Sequence, residues 1–290
     1  MKVAVTGANG QLGIDICDAF RNNGDQVTEI NHCDFDIVDF SKVQRTLQSL
    51  MPAMVINTAA MHNVEACEEN PAAAFAVNGI GARNLALASQ DIAATLLHVS
   101  TDYIFDGTKQ EPYIETDLPQ PLNVYGNTKL AGEYFIKSSM KKYYIFRVSG
   151  LYGHNLCRAK GGLNFVSLML KLADERDEVR VVDTEFVSPT FTEDVAKQIV
   201  HMSNNTNYGT YHATAQGGCS WHNFAKKIFA LTGKKILLSR AMPGEFPAKV
   251  PRPSYSILEN YGLQAANLDI MPHWEDGLKK YLSLEPLAKL

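Results

Sequence analysis

The sequence predicts an α/β protein: a Rossmann-type doubly wound parallel sheet with a smaller, mixed C-terminal domain. Three observations predict it. Short apolar runs alternate with helical patterns through the first half of the chain, and a glycine-rich turn follows the first run directly. After about residue 150 the alternation gives way to shorter, more mixed segments. Apolar strands separated by helices are the pattern of βαβ units and of a parallel sheet buried on both faces.

KVAVT (2–6) reads as the first strand, followed by a helix through about Asn22. QVTEIN (26–31) is the second strand, and SKVQRTLQSL (41–50) a helix opened by Ser41 as its N-cap. MVINTAA (54–60) is the third strand, and PAAAFAVNGIGARNLALASQ (71–90) one long helix with proline in its first turn. TLLHVST (95–101) and YYIFRVS (143–149) are further strands, with LAGEYFIKSS as helix between them. SPTFTEDVA (188–196) carries the chain back to the first domain, with Thr192 capping a helix that begins EDVAKQIV. The expected boundaries are 1–152 with 187–215 for the sheet domain, and 153–186 with 216–290 for the second. Trp221 and Trp274 read as core, and ADERDEVR as a solvated helix end.

Composition narrows the function classes. A chain of 290 residues, 46% of them hydrophobic, can bury about three quarters of its unfolded surface. The formal net charge is −4 and the basic residues are scattered, which argues against nucleic acid or an anionic membrane as partner. No apolar run approaches the roughly 18 residues that span a bilayer. The opening MKVAVTGANG passes from one lysine into a strand and glycines, unlike a signal peptide. Cys17, Cys33, Cys67, Cys157 and Cys219 are odd in number and never form CxxC, which fits a reduced cytoplasmic compartment and ordinary buried thiols. The eight histidines show no HExxH spacing, so no catalytic metal is expected.

The first strand runs into TGANGQLG, where Gly7, Gly10 and Gly13 stand at GxxGxxG spacing. The first glycine permits a tight turn and the second lets backbone approach a pyrophosphate. The third allows close packing of helix on strand, and the helix N-terminus offers N–H groups to the anion. Glycines also serve ordinary turns; the position directly after a strand and before a helix is what favours a dinucleotide. No unambiguous ribose-binding acid follows the second strand. Glu29 points along it, and Asn31 and His32 suit a 2′-phosphate, which leans toward NADPH with NADH as the alternative. Asp34 and Asp36 come a little later, in CDFDI; Asp36 is placed near the amino group of the adenine, with a solvated loop before a helix as the alternative for both acids.

The fourth strand delivers Ser100, Thr101 and Asp102 to its carboxyl end, where doubly wound sheets bind ligands. Tyr125 and Lys129 follow in VYGNTKL, four apart and so on one face of a helix. A ketone reduced by hydride needs a proton at its oxygen. A free tyrosine exchanges poorly near neutral pH, and a nearby ammonium brings it toward working range.

GxxGxxG with this Thr, Tyr, Lys set resembles the short-chain dehydrogenase/reductase superfamily in its extended form, which acts on nucleotide sugars. STDYIFDG, PLNVYGNTKLAGE, FRVSGLYG, NFVSLMLKLA, SPTFTEDVA, GTYHATA and SWHNFA extend the resemblance over nearly the whole chain, to the dTDP-4-dehydrorhamnose reductase family. The resemblance implies an oxidoreductase that uses NADPH to reduce the C4 ketone of dTDP-6-deoxy-L-lyxo-4-hexulose to dTDP-L-rhamnose, in the supply of cell-surface polysaccharide. Tyr125 is then the proton donor. Lys129 tunes it and binds the nicotinamide ribose, and Thr101 hydrogen-bonds the carbonyl. Cofactor contacts are implied for Gly7, Asn9, Gly10, Gln11, Leu12, Asp36, Ile37, Ala59, Ala60, Tyr125 and Lys129, with Asn57 shaping the wall behind the nicotinamide. Asn78 would tie strands together behind the site, and either asparagine is also explained as a plain cap or core amide.

Substrate contacts are implied for Thr101, Asp102, Asn164 and Arg252, the arginine of VPRPSYSIL preorganised between prolines to pair with a phosphate. A surface arginine in an extended loop is the simpler reading of the same stretch. Phe165 accompanies Asn164 in the family's contact. Thr101 is followed by Asp102 and Tyr103 rather than by Asp and Glu, which argues against a 4,6-dehydratase. Gly150 stands where many relatives have tryptophan, and His62, Asn63 and Glu65 depart from the pattern after the third strand, so the sugar's identity stays open. A nucleotide-diphosphate sugar is the partner implied, with a homodimer compatible. The alternatives are a reductase of a different nucleotide-4-keto-6-deoxysugar, or a non-catalytic subunit resembling the accessory subunit of a methionine adenosyltransferase.

Overall fold

The computed structural model describes residues 1–156, 162–242, 244–246 and 248–284. Strands β1 (Lys2–Thr6), β2 (Gln26–Ile30), β3 (Met54–Asn57), β4 (Thr95–Thr101), β5 (Tyr143–Val148) and the strand Gly209–His212 form one six-stranded sheet. Every pairing in it is parallel, and across the sheet the order is Gly209–His212, β5, β4, β3, β1, β2. The chain leaves β1 for β2 on one side and returns to place β3 on the other. That reversal opens a crevice at the carboxyl ends of β1 and β3, the place where sheets of this topology bind ligands.

Alternation along β1 explains why both sheet faces are covered. Val3 and Val5 join a core with Leu12, Ile16 and Phe20 of the helix Gln11–Asn22 and Val195, Ile199 and Met202 of the helix Thr192–Ser203. Ala4, one step out of phase, joins Val43 and Leu47 of the helix Phe40–Leu50 and Leu85, Ala86 and Ala88 of the helix Ala82–Asp91. A third core is built by the appended region from Val166, Met169, Val179, Phe224, Trp274 and Leu278, with Tyr152 and Phe191. Leu263 and Met271, from the last stretch of chain, pack instead into the core that holds Val3 and Val5. No described helix is long and apolar enough to cross a membrane.

Several local expectations are corrected. Asp39, not Ser41, caps the second helix: its backbone is extended and its carboxylate accepts from Lys42 N at 3.1 Å. The stretch 71–90 is not one α-helix. Pro71–Phe75 is α-helical, Ala76–Gly81 widens into a π turn, and Ala82–Asp91 resumes the α-helix. Such turns concentrate at functional sites, and this one presents Asn78. Thr192 is the first residue of its helix rather than the cap, because its hydroxyl donates to Tyr152 O at 3.2 Å. Cys33 is exposed while Cys17, Cys67 and Cys219 are buried; Cys157 lies outside the described residues. ADERDEVR is a helix end running into the strand Glu178–Val181, whose Val179 and Val181 are buried.

Candidate active site

The glycine turn closes over β3. Gly7 has φ +71°, and a Cβ on it would lie 2.7 Å from Ala59 N. A Cβ on Gly13 would lie 2.3 Å from Gly7 O, so the helix packs against the turn as only glycine allows. Gly10 caps that helix without any side-chain hydrogen bond, so no side chain of the cap takes up its N-terminal N–H groups. Asn9 N donates to Asn31 Oδ1 at 2.9 Å, tying the turn to the end of β2. Gln11 reaches across to the appended region, donating to Asn155 O at 2.8 Å, and Leu12 is buried in the core.

The carboxylates around β2 are engaged locally. Glu29 is ion-paired with Arg21, and Asp34 accepts from Asn31 N at 2.7 Å. Asp36 accepts from Val38 N at 3.0 Å, and the buried Ile37 accepts through its carbonyl from Asn84 at 3.0 Å. At the end of β3, Asn57 accepts from Thr6 Oγ1 at 2.8 Å and from Ala59 N at 3.0 Å. Ala60 is half-buried beside it. Asn78 donates to Met61 O at 2.9 Å and to Thr128 Oγ1 at 3.0 Å, joining the loop after β3 to the helix Val124–Ser139.

That helix carries Tyr125 and Lys129 one turn apart. Asn123 caps it by accepting from Gly126 N at 2.9 Å and donates to Pro251 O at 2.9 Å. Tyr103 packs edge-on against Tyr125, ring centroids 5.8 Å apart. Beyond Tyr125 runs a chain of hydroxyls. The Thr101 side chain stands near enough to the Tyr125 phenol to act on it. Thr101 Oγ1 donates to Asp102 Oδ1 at 3.1 Å and accepts from Tyr103 N at 3.2 Å. The buried Asp102 carboxylate also accepts from Ser149 at 2.9 Å and Ser256 at 2.6 Å.

Burial pushes the Tyr125 phenol well above its ordinary value; the Thr101 side chain lowers it and the Asp102 charge raises it further. Burial also raises Asp102, against the pull of its three hydroxyl donors. Lys129 is buried, its Nζ 2.6 Å from Val99 O and 3.2 Å from His98 Nε2. Burial brings it down to about 8, with Glu133 acting in the opposite sense. The amine is thus directed at β4, while the groups that move Tyr125 are burial, Thr101, Asp102 and Cys67.

On the substrate side the structure separates the expected residues. Thr101 and Asp102 are buried at the carboxyl end of β4. The Asn164 amide is taken up within the fold: it accepts from Ser167 N at 3.0 Å, capping the helix Phe165–Glu175, and donates to Gly153 O at 2.7 Å. Phe165 packs on Trp221, ring centroids 4.6 Å apart. Arg252 is exposed and ion-paired with Glu65 of the helix Val64–Glu69, which bridges that helix to the C-terminal segment. Asn63 caps the helix Val64–Glu69, accepting from Ala66 N at 2.9 Å. Gly150 has φ +55°, and a Cβ there would meet Ser188 O at 3.0 Å, so a tryptophan would be strained at this position.

Sequence reasoning missed Ser149, Thr58, His98 and Glu133. Thr58 donates to Thr6 O at 2.8 Å and Gly7 O at 3.1 Å, fixing the underside of the glycine turn. The available signal was polarity where the pattern demands burial: a histidine within TLLHV and a glutamate on the inward face of LAGEYF.

Comparison with known proteins agrees with this geometry. Residues 1–285 match the family model of the RmlD substrate binding domain. The spore coat polysaccharide biosynthesis protein SpsK of Bacillus subtilis is 38% identical over 282 residues, 97% of this chain and 96% of that protein. The structure of a dTDP-4-dehydrorhamnose reductase from Clostridium acetobutylicum superposes with a TM-score of 0.93 at 40% identity, covering 98% of this chain and 99% of that one. The same enzyme from Bacillus anthracis, solved in complex with NADP, gives 0.93 at 38% identity, covering 98% and 99%. On these matches and the crevice between β1 and β3, the chain belongs to the RmlD-type dTDP-4-dehydrorhamnose reductase family.

Proposed function

We propose that this protein is an NADPH-dependent reductase of the C4 ketone of dTDP-6-deoxy-L-lyxo-4-hexulose, yielding dTDP-L-rhamnose in the cytoplasm. The observation that carries the reading is the grouping of the Tyr125 phenol with Thr101 and Asp102 at the carboxyl end of β4, with Lys129 one helical turn from Tyr125. The glycine cradle supports the cofactor: Gly7 and Gly13 have no room for a Cβ, and the helix end at Gly10 has no side-chain cap. Asn31 beside Asn9, with no ribose-binding acid on β2, supports NADPH over NADH. NADPH supplies the hydride.

The chain's own residues do the rest. Gly7, Asn9, Gly10, Gln11 and Leu12 hold the pyrophosphate end, Asp36 and Ile37 the adenine end, and Ala59 and Ala60 the nicotinamide end. Tyr125, kept neutral by burial and the Asp102 charge, holds the proton that the ketone oxygen takes. Thr101 orients that oxygen, and Arg252 meets the diphosphate by exchanging Glu65 for a phosphate oxygen. Residues 153–186 and 216–290 form the part that closes over the nucleotide, and 1–152 with 187–215 the part that holds the dinucleotide. The test is loss of NADPH absorbance with freshly generated dTDP-6-deoxy-L-lyxo-4-hexulose, in wild type and Tyr125→Phe. Rapid oxidation by the wild type and its loss in the variant, with NADPH still bound, is the expected result. Oxidation only with another 4-keto-6-deoxysugar would move the assignment to that sugar. No oxidation with any, beside a co-purifying protein partner, would favour a non-catalytic subunit.

A further inference from the structure

The helix that carries Tyr125 is held at its first turn by two side chains of different origin. Asn123, its own cap, accepts from Gly126 N at 2.9 Å. Glu68, 56 residues earlier than Val124, accepts from Val124 N through Oε2 at 3.0 Å. Val124 is the first helical residue and the immediate neighbour of Tyr125. The first N–H groups of a helix have no partner within it, and a carboxylate there also meets the positive end of the helix dipole. Asn123 already caps the helix from within its own segment. The bond from Glu68 adds a tie between two distant parts of the chain.

Glu68 is placed by the helix Val64–Glu69, and that helix is itself fixed. Asn63 caps it, and the buried Cys67 donates through its thiol to Met61 O at 3.3 Å. Asn78 holds Met61 at both its N–H and its carbonyl, each at 2.9 Å, and also donates to Thr128 of the Tyr125 helix. Glu65 and Glu68 stand three apart and so on one face of the short helix. Glu65 is ion-paired with Arg252. Asn123 closes the triangle by donating to the carbonyl of Pro251, next to Arg252, at 2.9 Å. The short helix thus ties the start of the Tyr125 helix to the segment that carries Arg252.

The first turn cannot settle elsewhere without moving Tyr125. A Cβ on Gly126 would lie 2.2 Å from Tyr103 O, so the turn is pressed against the residues Asp102–Ile104 that follow Thr101. Further along the same helix, Glu133 is paired with Arg147. We infer that Glu68 is a positioning residue for the reduction: by accepting from Val124 N–H it fixes the start of this helix, and with it the Tyr125 phenol, relative to Thr101. The inference deepens the reductase reading and rests on it for its effect on rate. Glu68 itself is exposed, so replacing it removes no core packing, and water can take over the freed N–H at small cost to stability. What is lost is the placement of the acid, and a misplacement of about 1 Å can cost about a hundredfold in rate.

The test compares Glu68→Ala with Glu68→Gln, whose amide oxygen can still accept from Val124 N–H. With NADPH and dTDP-6-deoxy-L-lyxo-4-hexulose, Glu68→Ala should lose about tenfold in kcat while KM for the sugar nucleotide changes less than about twofold. Glu68→Gln should recover most of that loss. A second readout uses no turnover: carbon NMR of ring-labelled tyrosine, with the Tyr125 signal identified by its absence in Tyr125→Phe. That signal should shift in Glu68→Ala and stand at the wild-type position in Glu68→Gln. An unmoved Tyr125 signal in Glu68→Ala, or wild-type kcat beside a lowered melting temperature, overturns the inference and leaves Glu68 a plain helix cap. So does a Glu68→Gln protein as impaired as Glu68→Ala. A wild type that reduces no keto sugar sinks the reductase reading alone, and the Tyr125 signal still decides the role of Glu68.

Discussion

Arg147 and Glu133 form a two-point ion pair with both side chains buried, 2% and 0% exposed, Nε to Oε1 at 3.0 Å and Nη2 to Oε2 at 2.8 Å. Glu133 lies one turn beyond Lys129 on the helix that carries Tyr125, Arg147 lies on β5, and Ser100 of β4 donates to Glu133 at 2.6 Å. The pair sets the rotation of that helix over the sheet. Glu133→Gln leaves a buried guanidinium unmatched and should cost about 3–5 kcal/mol, whereas Glu133→Leu with Arg147→Met should recover most of it. Urea unfolding of the three proteins checks this; a single variant within about 1 kcal/mol of wild type would contradict it.

Two buried histidines set the response of stability to acid. Burial, then the Arg147 charge, brings His212 down to about 3, and His98 is also held well below its ordinary value. Both folded values lie under the unfolded one, so the unfolded chain takes up protons first. Stability is therefore complete above about pH 6.5 and falls as pH drops below it, by up to about 1.4 kcal/mol per pH unit for each histidine. Glu133, also lowered, adds its own loss only below its unfolded value of 4.5. Urea midpoints should decline from about pH 6.5 downward; a flat profile to about pH 5 would exclude neutral buried histidines.

Asp102 raises the Tyr125 phenol through its charge. Asp102→Asn keeps the side chain's shape and removes that charge, so the phenol should lose its proton at lower pH. The alkaline limb of kcat/KM should move toward neutrality, and an unmoved or upward-shifted limb would count against Asp102 as the charge that holds the proton on Tyr125.

A methyl group on Gly13 would sit 2.3 Å from Gly7 O. Gly13→Ala must push the helix off the turn, so NADPH affinity should fall at least about tenfold, roughly 1.4 kcal/mol, with a stability loss of about 1–3 kcal/mol. Fluorescence titration with NADPH measures the first; affinity equal to wild type would argue against the cradle.

Arg252 is held by Glu65 in the structure, and a planar fork suits a phosphate better than an ammonium does. Arg252→Lys should raise KM for the nucleotide sugar about tenfold and change kcat much less. A variant that loses kcat at unchanged KM would place Arg252 elsewhere in the reaction.

The β-strand alternation, the glycine turn and the order Thr101, Tyr125, Lys129 were legible in the sequence because each depends on local rules. Period-2 burial, the room a Cβ needs and the four-residue helical step all act within a few residues. The partners of the site's polar atoms were not legible. Asp102 is bound by Ser256, 154 residues away, and Arg252 by Glu65, 187 away. Asn164 adds a local role that the motif did not announce: its amide caps the helix Phe165–Glu175.

The sequence by itself determined the sheet, the cradle and the residues with chemistry to offer, since backbone sterics and hydrophobic periodicity are carried by neighbours in the chain. Only the tertiary structure decided what each polar atom faces: that Lys129 turns to His98 and Val99, and that Asp102 stands where its charge raises Tyr125. The physical reason is that a buried polar group must be paired wherever a partner stands, and its partner is set by how distant strands and loops meet.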